Sequence, residues 1–317
     1  ASRDSFLLVN TALLVGATGL ILIGTLYPLS LDALNLGKIS VGPPYFAIAF
    51  SIPMLPLVLL LAVGMHAGWK RANLGGRKRL LMGLGVGALI AGALLLRVSY
   101  GQPSVLTVVG FAAGLWVVLA SLVEPVSRLR KGHSLSAGVL GMSVAHLGLG
   151  LFVIGATTVE SFKIEQDVAL RPGETASIAG YDFHVKGFRD VEGPNYQALE
   201  GEVEVTRDGK RVTVLYPQKR IYRVQTNPMT EAGIQGRWNR DLFVAMGEPL
   251  GEDAWSMRLQ YKPLIRFIWW GCGIMALGGL IGVCDRRYRQ RATAGERAAV
   301  GAADPEGAGA PAMSRSS

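Results

Sequence analysis

The sequence is poor in charge and in cysteine. Charged residues make up 17% of the 317 residues and half of the residues are hydrophobic, whereas a soluble domain carries about 25% charged residues. With a mean hydropathy of +0.33, this composition excludes a water-soluble enzyme. Cys272 and Cys284 form neither a C-x-x-C nor a C-x-x-C-H motif, which excludes a thioredoxin-like dithiol and a covalent haem attachment site. We expect both thiols to pack in an apolar helix.

The positive charge of the chain does not indicate nucleic-acid binding. The net charge is +9, but the basic residues cluster at the ends of long apolar runs, as they do in membrane proteins. A helix needs about 20 residues to cross about 30 Å of hydrocarbon. We therefore predict a polytopic α-helical membrane protein without a nucleic-acid partner. Its six transmembrane helices are expected at 5–31, 39–65, 80–96, 98–123, 132–159 and 267–284.

The distribution of basic residues predicts the orientation. Cations are concentrated after the second, fourth and sixth apolar runs, whereas Lys38 is the single cation of the first loop and the 99–104 connection has none. By the positive-inside rule, both termini are then cytoplasmic. The basic residues that follow the second, fourth and sixth apolar runs are Lys70, Arg71, Arg77, Lys78, Arg79, Arg128, Arg130, Lys131, Arg286, Arg287, Arg289 and Arg291.

Residues 160–263, between the fifth and sixth runs, have a strand-like pattern bounded by turn residues. The pair Asp208-Gly209 between two alternating runs is typical of a β-hairpin. The sequence thus predicts a mostly-β extracytoplasmic domain between a five-helix domain (1–159) and a sixth helix (264–285). Residues 286–317 begin basic, continue with Ala, Gly, Pro and Ser, and are predicted to be a disordered cytoplasmic tail. The expected strands are 175–178, 181–185, 198–206, 211–217, 241–245 and 256–261.

His146 is the strongest candidate site residue, because it lies in the middle of the fifth apolar run. Ionisable side chains at this depth are costly and usually have a partner, a cofactor or a proton path. Ligation of haem iron or a metal, hydrogen-bonded packing and a proton relay all fit the position. Ala145, Gly148 and Gly150 are expected to leave room for a flat ring against the helix.

The other three histidines are expected to be structural. His66 is predicted to pack at the membrane interface beside Trp69 and Lys70, His133 to be solvated, and His184 to lie in a strand. Gly83, Gly87 and Gly92 do not follow a strand, so a dinucleotide fingerprint is excluded and close helix contacts are expected instead.

The first outer loop, 36–46, combines turn residues, aromatic residues and Lys38. It is either a rigid turn or a surface that faces an anionic ligand or partner.

Several segments resemble the carboxy-terminal half of the CcmF family, the haem lyase subunit of bacterial System I cytochrome c maturation. The likeness runs in order from about Asp4 to Arg289. The segments that carry it are Gly-Thr-Leu-Tyr-Pro at 24–28, the loop 37–46, Ala-His-Leu-Gly at 145–148, Arg-Asp-Leu-Phe-Val-Ala-Met-Gly-Glu at 240–248 and Tyr-Lys-Pro at 261–263.

The resemblance implies a function in the bacterial inner membrane. CcmF takes haem from the chaperone CcmE and joins it through thioether bonds to the C-x-x-C-H motif of apocytochrome c, which CcmH presents in the periplasm. The family carries a haem b between two transmembrane histidines, proposed to reduce the iron of the incoming haem, and His146 matches the second histidine. The β domain is then periplasmic, and we hypothesise that Lys38 helps to frame the substrate haem or its chaperone.

The chain departs from the family pattern in what it lacks. The tryptophan-rich WWD segment, the two periplasmic histidines that hold the substrate haem and the first haem b histidine belong to the amino-terminal half of full-length members. Trp269-Trp270 is not the WWD segment, because no Asp follows. We therefore expect a fragment or one subunit of a split lyase, inactive alone. Its expected partners are the amino-terminal half, CcmE, CcmH, apocytochrome c and the lipid bilayer.

Two other functions stay open. A transporter or channel subunit would use His146 as a proton relay, although the predicted helices contain no acidic residue away from their ends. A membrane-tethered module that only docks apocytochrome would bind no haem. Within the family, the paralogue dedicated to nitrite reductase also fits the sequence.

Overall fold

The computed structural model describes residues 3–67, 77–224, 227–251 and 253–285. The predicted tail (286–317), which contains Arg286, Arg287, Arg289 and Arg291, lies outside the described residues, as do Lys70 and Arg71. The helices are α1 (Arg3–Ala33), α2 (Pro43–Gly64), α3 (Arg77–Tyr100), α4 (Val105–Arg130), α5 (Ala137–Phe162) and α6 (Ile265–Val283). The strands are β1 (Ile164–Leu170), β2 (Thr175–Ile178), β3 (Tyr181–Glu192), β4 (Tyr196–Arg207), β5 (Lys210–Leu215), β6 (Gln218–Tyr222), β7 (Met229–Glu231), β8 (Gly233–Arg237), β9 (Arg240–Gly251) and β10 (Ala254–Pro263).

All six of these helices are long and apolar enough to cross a membrane. Five precede the strands and the sixth follows them, so the predicted fold class, a polytopic α-helical membrane protein with a β domain between its last two helices, is confirmed. The side of the membrane on which the β domain lies stays a prediction.

Local capping decides where two of the helices begin, and the predicted bounds 39–65 and 98–123 were wrong there. α2 begins at Pro43, since proline suits the first turn of a helix. α4 begins at Val105, because the Ser104 side chain accepts a hydrogen bond from the Thr107 backbone N–H at 3.1 Å. α4 then continues to Arg130, so Arg128 and Arg130 belong to its last turn and not to a loop.

Small residues hold α5 between α4 and α6. A Cβ atom added at Gly148 would lie 2.6 Å from the backbone N of Met275 in α6, and one added at Gly150 would lie 2.8 Å from the carbonyl of Gly114 in α4. Helices in lipid associate through such close backbone contacts, because hydrocarbon supplies no hydrophobic drive between them. A further contact joins the ends of two helices: the Asp285 carboxylate accepts a hydrogen bond from the Gly138 backbone N–H at 2.7 Å, at the start of α5.

The expectation for the glycines of α3 was correct for one position only. Gly92 packs closely on Phe111 of α4, with 3.2 Å between an added Cβ and that ring, whereas Gly83 and Gly87 have no atom within 4 Å on their free side among the described residues.

The β domain is a sandwich of two antiparallel sheets. One sheet has the order β1-β10-β9-β8, and the other has the order β2-β3-β4-β6-β7 with β5 paired to β4. Large apolar side chains from both sheets fill the space between them, including Phe183, Val203, Leu242 and Met257, each with no exposed surface. The predicted Asp208-Gly209 hairpin is confirmed: it joins β4 to β5 and both residues have a positive φ, at 52° and 72°.

Four of the ten strands were not predicted. β1 reads Ile-Glu-Gln-Asp-Val-Ala-Leu and is mostly exposed at a sheet edge, so its sequence shows little hydrophobic alternation. β8, at the opposite edge, contains Gly233 and Gly236, which weaken any strand signal. β6 and β7 are short. Tertiary pairing, and not local propensity, makes these segments strands.

Candidate functional site

A backbone carbonyl orients the ring of His146. The imidazole Nδ1 lies 2.7 Å from the carbonyl oxygen of Met142, one turn earlier in α5. Because the carbonyl can only accept, Nδ1 carries the proton, and in the neutral tautomer Nε2 then presents a free lone pair. Among the described residues, Nε2 has no hydrogen-bond partner. Metal-binding histidines are commonly oriented in this way, with the second ring nitrogen donating to a carbonyl.

The ring faces a cavity of about 210 Å³ between α1, α2 and α5. Most of its wall is apolar, and polar groups come from His146, Asn10 and Arg3. The lining residues are Arg3, Phe6, Leu7, Asn10, Leu13, Leu57, Leu60, Leu61, Gly64, Met65, Met142 and His146. They come from the first third of α1, the end of α2 and the first half of α5. The cavity therefore lies in the half of the helix bundle away from the β domain, and Phe162 lies about 24 Å further along α5.

The structure corrects the expectation that small residues leave space beside His146. α6 occupies the space beside Gly148, and α4 occupies the space beside Gly150. Gly278 of α6 approaches Ala145 closely. These residues serve helix packing on faces of α5 other than the one that bears His146. The room next to the imidazole comes instead from the separation of α1 and α2 from α5.

Two polar residues of the cavity were not selected from the sequence. Asn10 lies within α1, and Arg3 begins that helix. The signal for Asn10 was available, since an amide side chain in an apolar run is uncommon. Its relation to His146 was not, because 136 positions of sequence separate two residues that the packing of α1, α2 and α5 places on one cavity.

The loop that bears Lys38 has a different structure from the one predicted. Residues 43–46 belong to the first turn of α2. Tyr45 donates a hydrogen bond from its hydroxyl to the carbonyl of Leu20 at 2.8 Å, and its ring fills the space over Gly24. The aromatic residues therefore pack α2 on α1. Lys38 itself is almost fully exposed, with the Asp32 carboxylate 3.9 Å away.

The other three histidines either contact residues of the protein or are exposed. His66 Nε2 lies 3.0 Å from the carbonyl of Ala120 in α4, His133 is exposed, and His184 Nδ1 lies 3.0 Å from the Thr175 hydroxyl. Trp69 lies outside the described residues. The expectation for Cys272 and Cys284 was wrong: both are exposed, because they lie on parts of α6 and its end that no described helix covers.

Comparison with known proteins gives a family. A family model described as "CcmF C-terminal beta-sandwich" matches residues 161–263. The chain is 41% identical over 311 residues to the cytochrome c-type biogenesis protein CcmF of Pseudomonas aeruginosa, covering 95% of this chain and 47% of that protein. It is also 39% identical to CcmF and 32% identical to the cytochrome c-type biogenesis protein NrfE, both of Haemophilus influenzae. Each alignment covers 91% of this chain, and the two cover 46% and 45% of those proteins, respectively.

A solved structure supports the fold. The structure titled "Cytochrome c Heme Lyase CcmF" superimposes with a TM-score of 0.74 at 21% sequence identity, covering 90% of this chain and 46% of that one. The chain spans about half the length of the relatives that it matches.

Proposed function

Because this chain belongs to the CcmF family and matches its carboxy-terminal half, we propose that it is part of a haem lyase of cytochrome c maturation. In this proposal it contributes one axial ligand of a transmembrane haem b and a periplasmic β domain, in a bacterial inner membrane with both termini cytoplasmic. The observation that supports the proposal is His146, whose Nδ1 donates to a backbone carbonyl and whose Nε2 has no hydrogen-bond partner among the described residues and faces a cavity between helices.

The residues around His146 suit a haem chemically, but the cavity that they line has room for only part of one. An imidazole nitrogen among apolar side chains is a typical axial ligand environment. The cavity of about 210 Å³ is smaller than the roughly 300–1,000 Å³ of complete ligand sites. Among the described residues, no group of three or more His, Cys, Asp or Glu could hold a metal ion. A second ligand and the rest of the wall would come from the amino-terminal half of the family's full-length protein.

Three features of the chain would serve this site. The Met142 carbonyl holds the His146 ring in one tautomer and one orientation. The apolar side chains of α1 and α2 exclude water, and Asn10 supplies an amide to the cavity. When bound, haem b would supply a centre that accepts and passes on single electrons, as needed to keep the iron of the substrate haem reduced.

We place the transfer of haem from CcmE to apocytochrome c, with CcmH as the presenting partner, on the side of the β domain. The loop with Lys38 and the 101–104 connection lie at the same end of the helix bundle as that domain, because successive helices cross in alternate directions. With its side chain 89% exposed, Lys38 is free to meet an anionic group such as a haem propionate.

The test of the haem b site is a reduced-minus-oxidised visible spectrum of the detergent-purified chain, co-expressed with the amino-terminal half of a CcmF relative. We expect a low-spin b-type spectrum in the wild type, its loss in His146→Ala and its recovery with added imidazole. His133→Ala is the control, because His133 is exposed and does not line the cavity. A folded His146→Ala protein with unchanged haem content would contradict the proposal, and absence of haem in the wild type would favour a docking module.

The role of Lys38 has a separate test. Lys38→Glu reverses a charge that contacts only Asp32 among the described residues, so the fold should be unaffected. We expect weaker co-purification of CcmE with the Lys38→Glu complex than with a Lys163→Glu control, whose lysine contacts Glu160 at the end of α5. Equal recovery of CcmE would show that Lys38 has no part in its binding.

A further inference from the structure

Three turns of the β-sandwich lie together at the end that faces the helices. They are the turns β2–β3 (179–180), β4–β5 (208–209) and β8–β9 (238–239). The phenol of Tyr181, after the first turn, accepts hydrogen bonds from Arg207 Nη1 at 3.0 Å and Arg240 Nε at 3.1 Å. Arg207 precedes the second turn and Arg240 follows the third, so one side chain joins all three.

The β8–β9 turn lies directly beside the start of α6. Arg240 pairs with Pro263 at the end of β10, and the backbone N–H of Leu264 donates to the carbonyl of Asn239 at 3.0 Å. The next residue, Ile265, begins α6. Since α6 has 19 residues, its length of about 28 Å matches the hydrocarbon thickness. We therefore expect the turn at the level of the lipid headgroups.

Side chains fix this turn to both the sandwich and the helix. Arg240 is 3% exposed, and its Nη1 donates to Gln235 Oε1 at 2.7 Å. Arg266 in the first turn of α6 donates from Nε to the Asp241 carboxylate at 2.9 Å, and its guanidinium lies over Gly236, where any Cβ would clash with it. The hairpin tip is thus held in position relative to α6.

The tip presents an exposed aromatic residue and unpaired cations. Trp238 has 66% of its surface exposed. Arg237, beside it, and Lys210, after the neighbouring β4–β5 turn, are exposed, and neither has a carboxylate partner among the described residues. An exposed indole is unfavourable in water, but tryptophan beside Arg or Lys is characteristic of the membrane interface.

We propose that the β8–β9 tip is a membrane anchor: Trp238 inserts among phospholipid headgroups, and Arg237 and Lys210 bind their phosphates. The lipid bilayer is the occupant that the location favours, because the tip borders α6, most of whose surface is uncovered by the described helices. The anchor would orient the β domain over the membrane, independently of whether the helices bind haem.

The test uses the full chain in lipid nanodiscs that contain phosphatidylglycerol. Cys272→Ser and Cys284→Ser remove the native thiols, and a spin label is placed at Trp238→Cys or, as control, at Val224→Cys. Val224 is 99% exposed and follows β6 at the opposite end of the sandwich, since Tyr222 pairs with Tyr196 at the far end of β4. Accessibility of each label to oxygen and to a water-soluble nickel chelate is then measured by electron paramagnetic resonance.

The proposal expects oxygen accessibility to exceed nickel accessibility at 238 and the reverse at 224. The double change Arg237→Glu and Lys210→Glu should shift the label at 238 toward the aqueous pattern. Aqueous accessibility at 238 equal to that at 224 would overturn the proposal, and so would shielding from both reagents, which would indicate a protein partner. Because the label replaces the indole, Trp238→Phe provides a second measurement: fluorescence quenching by lipids brominated near the headgroup should fall relative to wild type, and unchanged quenching would also overturn the proposal.

Discussion

The helices and the β-sandwich place apolar side chains in opposite ways. In the sandwich, Phe183, Met246 and Met257 have no exposed surface. In the helices, Leu8 and Val98 are 72% and 85% exposed, and the residues buried between helices are mostly small, such as Gly114, Gly150 and Ala120 among others. Water drives large apolar groups into the sandwich core, whereas lipid solvates them, so helices associate through backbone contact. One chain thus follows two packing rules in two solvents.

Polar groups differ between the two regions as well. Between the helices, an uncharged contact joins the hydroxyls of Thr107 and Ser161, 2.9 Å apart, and a charged group, Asp285, is buried where α6 ends beside the start of α5. The sandwich buries the charged residues Glu200 and Arg240 within its strands. Such charges are tolerable because several hydrogen bonds satisfy each of them.

The largest expected effect is in the sandwich core. Phe183→Ala leaves a cavity between the two sheets and should lower the free energy of unfolding of the domain by about 3–5 kcal/mol. Hydrogen exchange of β3 and β4 in the detergent-solubilised chain measures this as loss of protection. Ile234→Ala is the control, because that side chain is 55% exposed. A loss below about 1 kcal/mol would mean that the sandwich core does not set its stability.

A matched pair of glycines in α6 tests the packing rule of the helices. A Cβ at Gly271 would lie 2.7 Å from the Phe152 backbone N, whereas Gly273 has no described atom within 4 Å on its free side. Gly271→Val should destabilise the α5–α6 contact by about 1–3 kcal/mol, and Gly273→Val by much less. The measurement is the thermal midpoint and the yield of monodisperse protein in detergent. Equal effects of both changes would contradict the packing described here.

The smallest effect concerns Glu200 and depends on pH. Burial would raise the pKa of its carboxyl, but hydrogen bonds from Gln218 and from Arg189, the latter 2.8 Å away, hold the pKa below its usual range. A lowered folded-state pKa stabilises the domain fully above the unfolded value of about 4.3, and this stabilisation is lost as pH falls through the folded pKa.

Glu200→Gln should therefore cost about 1 kcal/mol at pH 7 and should flatten the acid limb of the stability curve. Hydrogen exchange of β4 and β6 across pH, corrected for intrinsic rates, measures both effects, with Glu202→Gln as control because its carboxylate is more exposed. Parallel curves for the Glu200 variant and wild type would show that Glu200 does not titrate with folding.

The sequence predicted the six helices well and identified one residue of the cavity, His146. Long charge-poor runs are sufficient to locate helices in lipid, because each helix satisfies its own backbone. His146 was identified from its depth in α5. The orientation of its ring, the participation of Asn10 and the filling of Gly148 and Gly150 depend on which helices are neighbours, and a hydropathy pattern does not specify neighbours. The packing role of Tyr45 in the loop 36–46 depends on a neighbour in the same way, since its ring fills the space over Gly24 of α1.

The composition and the order of apolar and alternating segments by themselves determined six membrane helices with a β domain before the last one. The physical reason is that the choice between lipid and water is made residue by residue through transfer free energy. Tertiary structure alone decided that β1 and β6–β8 are strands, that His146 opens on a cavity away from the β domain, and that the β8–β9 turn lies beside the first turn of α6. These features arise from contacts between segments distant in the chain, whose energies no local pattern contains.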